Sequence, residues 1–252
     1  MNNSTKIGKT TLKNALGAHF VKNDNVKVFM ACPEEPNHMT YKLMANQLTG
    51  KIFHDPKVEF DEKAYDEAGE VLKDKLYMLN LYQHLGWNTL KDDIVAAVGE
   101  GCQAVFIDPI TNLSNGVNSA DANTLLQEFA QELSAMSLDM KFTAFLFAHL
   151  KASEGQLSAD KRHSYYAKGQ YLDLGNCSHE MGGSVYSSQF AGSRAMQRSC
   201  NLMLGMLGNK DPELPENVRN TREIRVLEDR AFGTSGVYPL YWNKNTGRFQ
   251  EL

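Results

Sequence analysis

The chain has 252 residues, of which 42% are hydrophobic, so it can bury a substantial core, and its size suits one large α/β domain or two small ones, of which we expect one. A formal net charge of −4 argues against binding nucleic acid through bulk charge, although a local basic loop remains compatible with it. No apolar run approaches the ~18 residues of a membrane span, and the polar N-terminus is not a signal peptide. Four widely spaced cysteines without a metal-ligand pattern indicate reduced thiols. The sequence therefore predicts a soluble cytoplasmic protein without a membrane partner.

The first pattern in the chain is Gly8-Lys9-Thr10-Thr11, which opens a helix-like run over residues 12–21. In a phosphate-binding loop, backbone N–H groups at a helix N-terminus hold the β-phosphate. Lys9 would reach the β- and γ-phosphate oxygens, and the Thr10 hydroxyl would bind Mg²⁺. These residues predict an NTPase; the alternative is an ordinary helix N-terminus with threonine caps.

The residues before this loop depart from the usual pattern. The consensus G-x-x-x-x-G-K-[ST] requires glycine where this chain has Asn3, and residues 1–7 contain no apolar run that could form the buried strand expected there. We therefore expect either a truncated or split gene product whose first strand lies elsewhere, or a loop attached to a sheet that lacks this strand.

Residues 26–31 (VKVFMA) form a short apolar run that ends at Cys32-Pro33 and predicts a buried strand. Glu34 and Glu35 follow directly. Catalytic groups of open α/β sheets gather at the carboxyl ends of strands, so a carboxylate at this position could polarise an attacking water. The alternative is a pair of solvated acids at the start of a loop.

The next part of the chain is mostly helical by pattern. Amphipathic or charged segments predict helices over residues 39–48, 61–72 and 89–98, with a strand over residues 76–81 between them. The charged run in the second of these helices is interpreted as a solvated face without chemistry.

The strongest apolar signal is the run QAVFID, which ends at Asp108. A continuous hydrophobic run that ends in aspartate is typical of a buried parallel strand that delivers a carboxylate to the sheet edge. In P-loop enzymes this is the Walker B position, whose carboxylate holds Mg²⁺ through water. The presence of both GKTT and this strand favours a nucleotide site more than either pattern alone. A further helix is predicted over residues 122–138.

Residues 142–150 (FTAFLFAHL) predict another buried strand, with His149 near its end. A histidine there could sense a γ-phosphate by hydrogen bonding; the alternative is a partly buried histidine with satisfied partners. Residues 151–191 predict a long polar loop in which basic side chains are interleaved with tyrosines. The basic residues are Lys151, Lys161, Arg162, His163 and Lys168, and the tyrosines are Tyr165, Tyr166 and Tyr171. Such a loop could hold a single strand of nucleic acid through its phosphates and bases, although many loops are basic.

Six segments now stand in a specific order: GKTT, the strand with its acidic pair, VFIDPITNLSNG, FLFAHLK, SQFAGSRAMQRSCN and VLEDRAFGTSGVYPLYWNKNTGRFQ. In this order they resemble the RecA-like motor domain of DnaB-type hexameric helicases, and most of all the helicase domains of phage primase-helicases and Twinkle. The resemblance extends from Gly8 to Gln250. It implies one RecA-like P-loop domain over residues 1–252, with a largely parallel central sheet flanked by helices and antiparallel strands at the C-terminus.

The resemblance also implies the roles of individual residues at the nucleotide. Residues 8–11 would bind ATP or another NTP or dNTP, and Thr10 with Asp108 would hold Mg²⁺. Glu34 would be the base that activates water, with Lys9 contributing to catalysis at the phosphates. His149 would link the nucleotide state to DNA binding.

Arg230 would be an arginine finger that reaches the site of a neighbouring subunit, where its guanidinium neutralises transition-state charge. A finger supplied in trans makes hydrolysis depend on a closed homo-oligomeric ring, expected to be a hexamer. The implied activity is 5′–3′ translocation on single-stranded DNA and duplex unwinding in phage-type replication, within a bacterial host cell and with primase and polymerase as further partners. The residues expected to contact DNA are Lys151, Lys161, Arg162, Gly192, Ser193 and Arg194.

Two other functions remain open from the sequence. The first is a RecA-like ATPase of the recombinase type. The second is a helicase remnant that binds nucleotide or DNA without hydrolysis. Glu228 favours the remnant, because the resembling helicases carry a lysine at this position and an acid there would weaken the positive field beside Arg230. The joint presence of Lys9, Glu34, Asp108, His149 and Arg230 argues against a remnant.

Overall fold

The computed structural model describes residues 7–79, 86–114, 118–150, 157–190 and 193–252. The chain divides into two compact units. The first, called here the α/β unit, comprises Thr10–His149 and Lys244–Arg248; the second, called the β unit, comprises Met1–Lys9, Leu150–Asn243 and Phe249–Leu252. The expectation of one domain over residues 1–252 stays a prediction.

A four-stranded parallel sheet forms the centre of the α/β unit, as the apolar runs predict. The strands follow the spatial order β2-β1-β3-β4. Their bounds are Lys27–Ala31 for β1, Leu76–Met78 for β2, Cys102–Ile107 for β3 and Thr143–Leu146 for β4. The two central strands are almost wholly buried because they are continuous in hydrophobic residues, as strands covered on both faces must be.

In the described residues of this unit, one or two α-helices precede each strand, at the places that the sequence pattern predicts. Asp61 begins the third of them as an N-cap, accepting a hydrogen bond from the backbone N–H of Ala64. Gly50 ends the second in a left-handed conformation with a φ of 75°. The helices are α1 Lys9–Asn23, α2 Asn37–Thr49, α3 Glu62–Leu72, α4 Trp87–Gly99 and α5 Ser119–Met140.

Aromatic stacking stabilises the centre of the α/β unit. Phe106 of β3 is fully buried and stacks on Phe145 of β4, with ring centroids 4.7 Å apart and an interplanar angle of 13°. Phe20 of α1 packs against both rings at 5.4–6.2 Å. These contacts fix α1 on the sheet and thereby position its N-terminus.

The β unit is built on an antiparallel sheet, which confirms the antiparallel strands expected at the C-terminus. Its spatial order is β5-β6-β7-β8, and β6 pairs antiparallel with both β5 and β7. The strands are β5 Leu202–Gly208, β6 Thr221–Asp229, β7 Val237–Asn243 and β8 Arg248–Glu251. The helices are α6 Ala159–Tyr166, α7 Ser193–Ser199 and α8 Glu216–Asn220.

The structure differs from the sequence-based expectations in two segments. The strand predicted over residues 142–150 ends at Leu146, so His149 lies three residues beyond it. The expected long loop over residues 151–191 contains helix α6, because Ser158 caps its N-terminus by accepting from the N–H of Lys161. Of the strand predicted over residues 76–81, the last two residues lie outside the described part of the chain. Among the described residues, no helix combines the length and apolar character needed to cross a bilayer.

The substitution Phe106→Ala should lower the free energy of unfolding by about 3–5 kcal/mol, because it removes a fully buried ring from the stacked aromatic cluster. Urea denaturation followed by circular dichroism measures the change. Leu138→Ala is the control, since Leu138 is 76% exposed and its truncation should change stability by less than about 0.5 kcal/mol. Equal effects of the two substitutions would contradict this account of the core.

Candidate nucleotide site

The residue that precedes α1 has to be glycine for two reasons. Gly8 has a φ of +108°, a conformation that residues with a Cβ rarely adopt. A Cβ at this position would also lie 2.8 Å from the ring of Phe249. The chain therefore turns sharply at Gly8 and enters α1 at Lys9, as a phosphate-binding loop requires.

A buried arginine holds the segment just before this turn. The Nε of Arg222 donates to the carbonyl of Ile7 at 2.6 Å, and its Nη1 donates to the carbonyls of Arg219 and Thr221. Arg222 is only 4% exposed, and this burial lowers its pKa to about 10. The guanidinium thus satisfies three backbone carbonyls at the base of the turn.

The carboxylates predicted for the site follow two neighbouring parallel strands. The N–H of Asp108, directly after β3, donates to the carbonyl of Ala31 at the end of β1. Glu35 lies in the turn that follows β1, and its N–H donates to the carbonyl of Cys32. In the spatial order β2-β1-β3-β4, β2 lies on the outer side of β1 and β4 lies on the outer side of β3. The strand order therefore reverses between β1 and β3, and ligands of open α/β sheets bind at such a point.

A lysine that the sequence analysis did not select lies at the centre of these groups. Lys13 of α1 is 1% exposed, and its Nζ lies 3.3 Å from Asp108 Oδ2 and 3.5 Å from Glu35 Oε1. The same Nζ lies 3.1 Å from the Sγ of Cys32. Helix α1 is therefore joined to the ends of both β1 and β3 by one ammonium group.

The charges of this cluster follow from its burial and its neighbours. Burial by itself would lower the pKa of Lys13, but the surrounding groups, Cys32, Asp108 and Glu35, outweigh it and raise the pKa above its ordinary value. Burial raises the pKa of the Cys32 thiol to about 11. The contacts with Asp108 and Glu35 place the ammonium group between two carboxylates from different strand ends.

The two members of the acidic pair have different surroundings. Glu35 is largely buried and accepts a 2.5 Å hydrogen bond from the Thr40 hydroxyl in addition to its ion pair with Lys13. The side chain of Glu34 is 52% exposed, and its Oε2 lies 3.7 Å from Nε2 of His149. The structure therefore brings together two predicted site residues, Glu34 and His149, and keeps Glu34 accessible to water.

The donors expected for Mg²⁺ are chemically suitable. A threonine hydroxyl and an aspartate carboxylate are hard oxygen ligands, and Mg²⁺ is typically bound by one or two such groups together with phosphate oxygens and water. Within the described ranges no three histidine, cysteine or acidic side chains come together as a metal site of their own.

The predicted DNA contacts are placed unequally. Lys161 is exposed on α6, whereas Nε of Arg162 lies 3.7 Å from Oδ2 of the buried Asp211. Asp211 also accepts a hydrogen bond from the Tyr166 hydroxyl, so part of this expected loop surface is committed to internal contacts. Lys151 and Gly192 lie outside the described residues. Ser193 and Arg194 belong to α7, and their side chains are not described.

A tight turn after β6 carries the predicted arginine finger. The carboxylate of Asp229 accepts from the backbone N–H groups of Ala231, Phe232 and Thr234 and from the Thr234 hydroxyl. These bonds, that of the Thr234 hydroxyl first, hold the pKa of Asp229 below its ordinary value. Arg230 itself donates to the carbonyl of Arg198.

Glu228, the residue that departs from the helicase pattern, also has a partner in this part of the β unit. Its Oε1 accepts a 2.8 Å hydrogen bond from Nε2 of Gln197, and the same amide nitrogen donates to the Ser187 hydroxyl. The carboxylate is thus partly satisfied by an amide from α7.

The sequence contains a signal for the burial of Lys13. The buried residues of α1 include Lys13, Gly17 and Val21, which recur every four residues on one face of the helix. A lysine on that apolar face requires a buried counter-charge. Arg222 gave no comparable signal, because its partners are backbone carbonyls and carry no sequence information.

Asp229→Ala should loosen the turn that carries Arg230, because four hydrogen bonds to its carboxylate are lost. We expect the amide hydrogens of Ala231, Phe232 and Thr234 to exchange several-fold faster at neutral pH, measured by NMR. In the unmodified chain this stabilisation is present at neutral pH and is lost only as the pH falls through the lowered pKa of Asp229, below 3.8. Asp160→Ala is the control; unchanged exchange in Asp229→Ala would refute the assignment.

Comparison with known proteins bears on the fold. No protein-family model and no curated protein matches the chain. The solved structure of an ATPase domain superposes with a TM-score of 0.70 at 13% identity, covering 99% of this chain and 82% of that one. A structure of a DnaB-like replicative helicase and its interactions with primase gives a TM-score of 0.72 at 13% identity; the match spans all of this chain and 56% of that one. The chain therefore has the RecA-like α/β fold of the ATPase domains of DnaB-like replicative helicases.

Proposed function

We propose that the chain is the motor of a replicative helicase, which hydrolyses ATP or another NTP with Mg²⁺ to move along single-stranded DNA and unwind duplex. The proposed direction is 5′ to 3′, and the proposed setting is phage-type replication in the cytoplasm of a bacterial host. The working form is a homo-oligomeric ring, taken as a hexamer. Primase and polymerase are the proposed partners; primase is supported by the interaction described for the DnaB-like helicase with this fold.

One observation carries this proposal. The GKTT turn opens helix α1, and the same helix contacts, through Lys13, the carboxylates that follow β1 and β3. A helix N-terminus that can bind phosphate therefore belongs to the element that contacts Asp108, the proposed metal-linked carboxylate, and Glu35, the neighbour in sequence of the proposed base Glu34. A helix whose N-terminus is only capped by threonines would not need to contact the carboxylates that follow β1 and β3.

The proposed chemistry assigns a task to each group. The N–H groups at the start of α1 and the Lys9 ammonium bind the phosphates, with Gly8, Thr10 and Thr11 completing the loop. Mg²⁺, when bound with nucleotide, would neutralise phosphate charge, and Thr10 with Asp108 would hold it. Glu34 would orient the attacking water and accept its proton.

His149 is proposed to transmit the state of the nucleotide. Its Nε2 lies 3.7 Å from Oε2 of Glu34. A change in the position of Glu34 on γ-phosphate release would therefore alter the contacts of the His149 ring. The chain continues from His149 to residues 151–156, the start of the segment proposed to contact DNA. The proposed DNA contacts are Lys151, Lys161, Arg162, Gly192, Ser193 and Arg194.

The remaining candidate is a helicase-like protein that binds nucleotide without hydrolysing it. The specific observation in its favour is that Lys13 already provides a cation 3.3 Å from Asp108. The assay described next separates this candidate from the proposed motor. A recombinase-type ATPase would instead be recognised by strand exchange without duplex unwinding.

Purified protein should hydrolyse ATP, and single-stranded DNA should increase the rate. Lys9→Ala should abolish nucleotide binding, since it removes the ammonium group that reaches the phosphates. Glu34→Gln should lower the hydrolysis rate about 10²–10⁴-fold while nucleotide binding persists, because only the base is lost. Glu59→Gln, an exposed acid away from the site, is the control. Hydrolysis at equal rates in Lys9→Ala and the unmodified chain would refute the proposed site, and nucleotide binding without hydrolysis would favour the remnant.

Arg230→Ala should lower hydrolysis by about 10³–10⁵-fold if its guanidinium acts as a finger in trans. Mixing this variant with Lys9→Ala protein should then restore part of the activity, because mixed rings contain sites with an intact Lys9 and an intact Arg230 from the neighbour. Arg219→Ala is the matched control in the β unit. An inactive mixture from two well-folded variants would contradict action in trans.

A further inference from the structure

The position of Lys13 calls for an explanation that the nucleotide chemistry does not supply. Lysine is among the residues least often fully buried, and a buried ammonium group is tolerated only with compensating partners. Lys13 lies one helical turn after Lys9, within the buried face of α1, and its Nζ is placed between carboxylates from two different strand ends. An apolar side chain on this face would pack on the sheet without the cost of burying a charge.

The geometry defines what the ammonium group does. Its distances to Asp108 Oδ2 and Glu35 Oε1 are 3.3 and 3.5 Å, so one cation is shared by two carboxylates. The ammonium group therefore offsets one of the two formal negative charges that Asp108 and Glu35 bring to this point.

We propose that Lys13 is a positioning residue that acts as a fixed internal cation, holding the carboxylates of Asp108 and Glu35 and preventing this pair from binding a divalent cation before nucleotide arrives. The role in nucleotide binding rests on the proposed function. The occupancy of the carboxylate pair by Lys13 does not, and it can be tested without nucleotide or DNA.

Two features of the site agree with this role. Glu35 is fixed by the Thr40 hydroxyl as well as by Lys13, so its carboxylate is held at a defined position, 3.5 Å from the ammonium group that also contacts Asp108. Asp108 is only 7% exposed, and a carboxylate so poorly hydrated binds any nearby cation strongly. The ammonium of Lys13 is tethered to α1 and cannot be exchanged, whereas a divalent ion at this position would be gained and lost with its concentration.

The test measures binding of Mn²⁺, a spectroscopic substitute for Mg²⁺, to nucleotide-free protein by the electron paramagnetic resonance signal of the free ion. Lys13→Met keeps the length of the side chain and removes its charge. We expect Lys13→Met to bind Mn²⁺ about tenfold or more tightly than the unmodified chain, because the substitution removes the positive charge placed between the two carboxylates. Mg²⁺ should compete for the new site. Lys22→Met, the same change at an exposed position of α1, should leave Mn²⁺ binding unchanged.

A second variant covers the case in which Lys13→Met does not fold. Lys13→Met combined with Glu35→Gln removes one formal negative charge together with the positive charge and keeps an oxygen that can accept from Thr40. Recovery of folding in this double variant, or in Lys13→Met with millimolar Mg²⁺, supports the role as an internal cation. Persistent unfolding in both cases overturns it, and so does a folded Lys13→Met protein whose Mn²⁺ affinity equals that of the unmodified chain. Absence of ATP hydrolysis would refute the proposed function and leave these results unaffected.

Discussion

The ion pairs of Lys13 with Asp108 and Glu35 are the interaction on which the candidate site depends. They connect α1 to the ends of β1 and β3, which are adjacent in the sheet but are separated in sequence by α2, α3, β2 and α4. Removing one partner of a buried pair leaves an uncompensated charge, which typically costs about 3–5 kcal/mol. The relative positions of α1 and the acidic strand ends are therefore set by charge as well as by apolar packing.

Apolar packing holds the strands together, and hydrogen-bonded turns position the predicted site residues. The stacked rings of Phe106 and Phe145 hold β3 and β4 together below the site, where a well-packed core tolerates little change in volume. The predicted site residues Gly8 and Arg230 instead lie in turns that hydrogen bonds hold in place, from Arg222 to the carbonyl of Ile7 and from backbone N–H groups to Asp229. Catalytic groups commonly occupy such loops because a rigid scaffold positions them while their side chains remain accessible.

Much of the α/β unit could be predicted from the sequence because its strands are continuous apolar runs and its helices are amphipathic. The same pattern predicted that Asp108 follows the buried strand β3, because a carboxylate is disfavoured within such a strand and is expected at its carboxyl end. Helix α6 was missed because its basic and aromatic composition resembles that of a loop, and the decisive cap, Ser158, is a single residue. Lys13 was missed because a charged residue in a helix is normally assigned to the solvated face, and only its counter-charges from distant strands explain its burial.

The different surroundings of the Glu34 and Glu35 side chains explain why two acids adjacent in sequence would have different roles. Glu35 contacts both Lys13 and Thr40 through Oε1, and proton transfer to this carboxylate would weaken its ion pair with the buried Lys13. Glu34 is half-exposed and faces His149 instead, which leaves its carboxylate able to orient water and accept a proton. A general base must reach both the water and the solvent to which the proton is finally lost. Of the two acids, only Glu34 meets that requirement, and Glu35 holds the turn from which Glu34 projects.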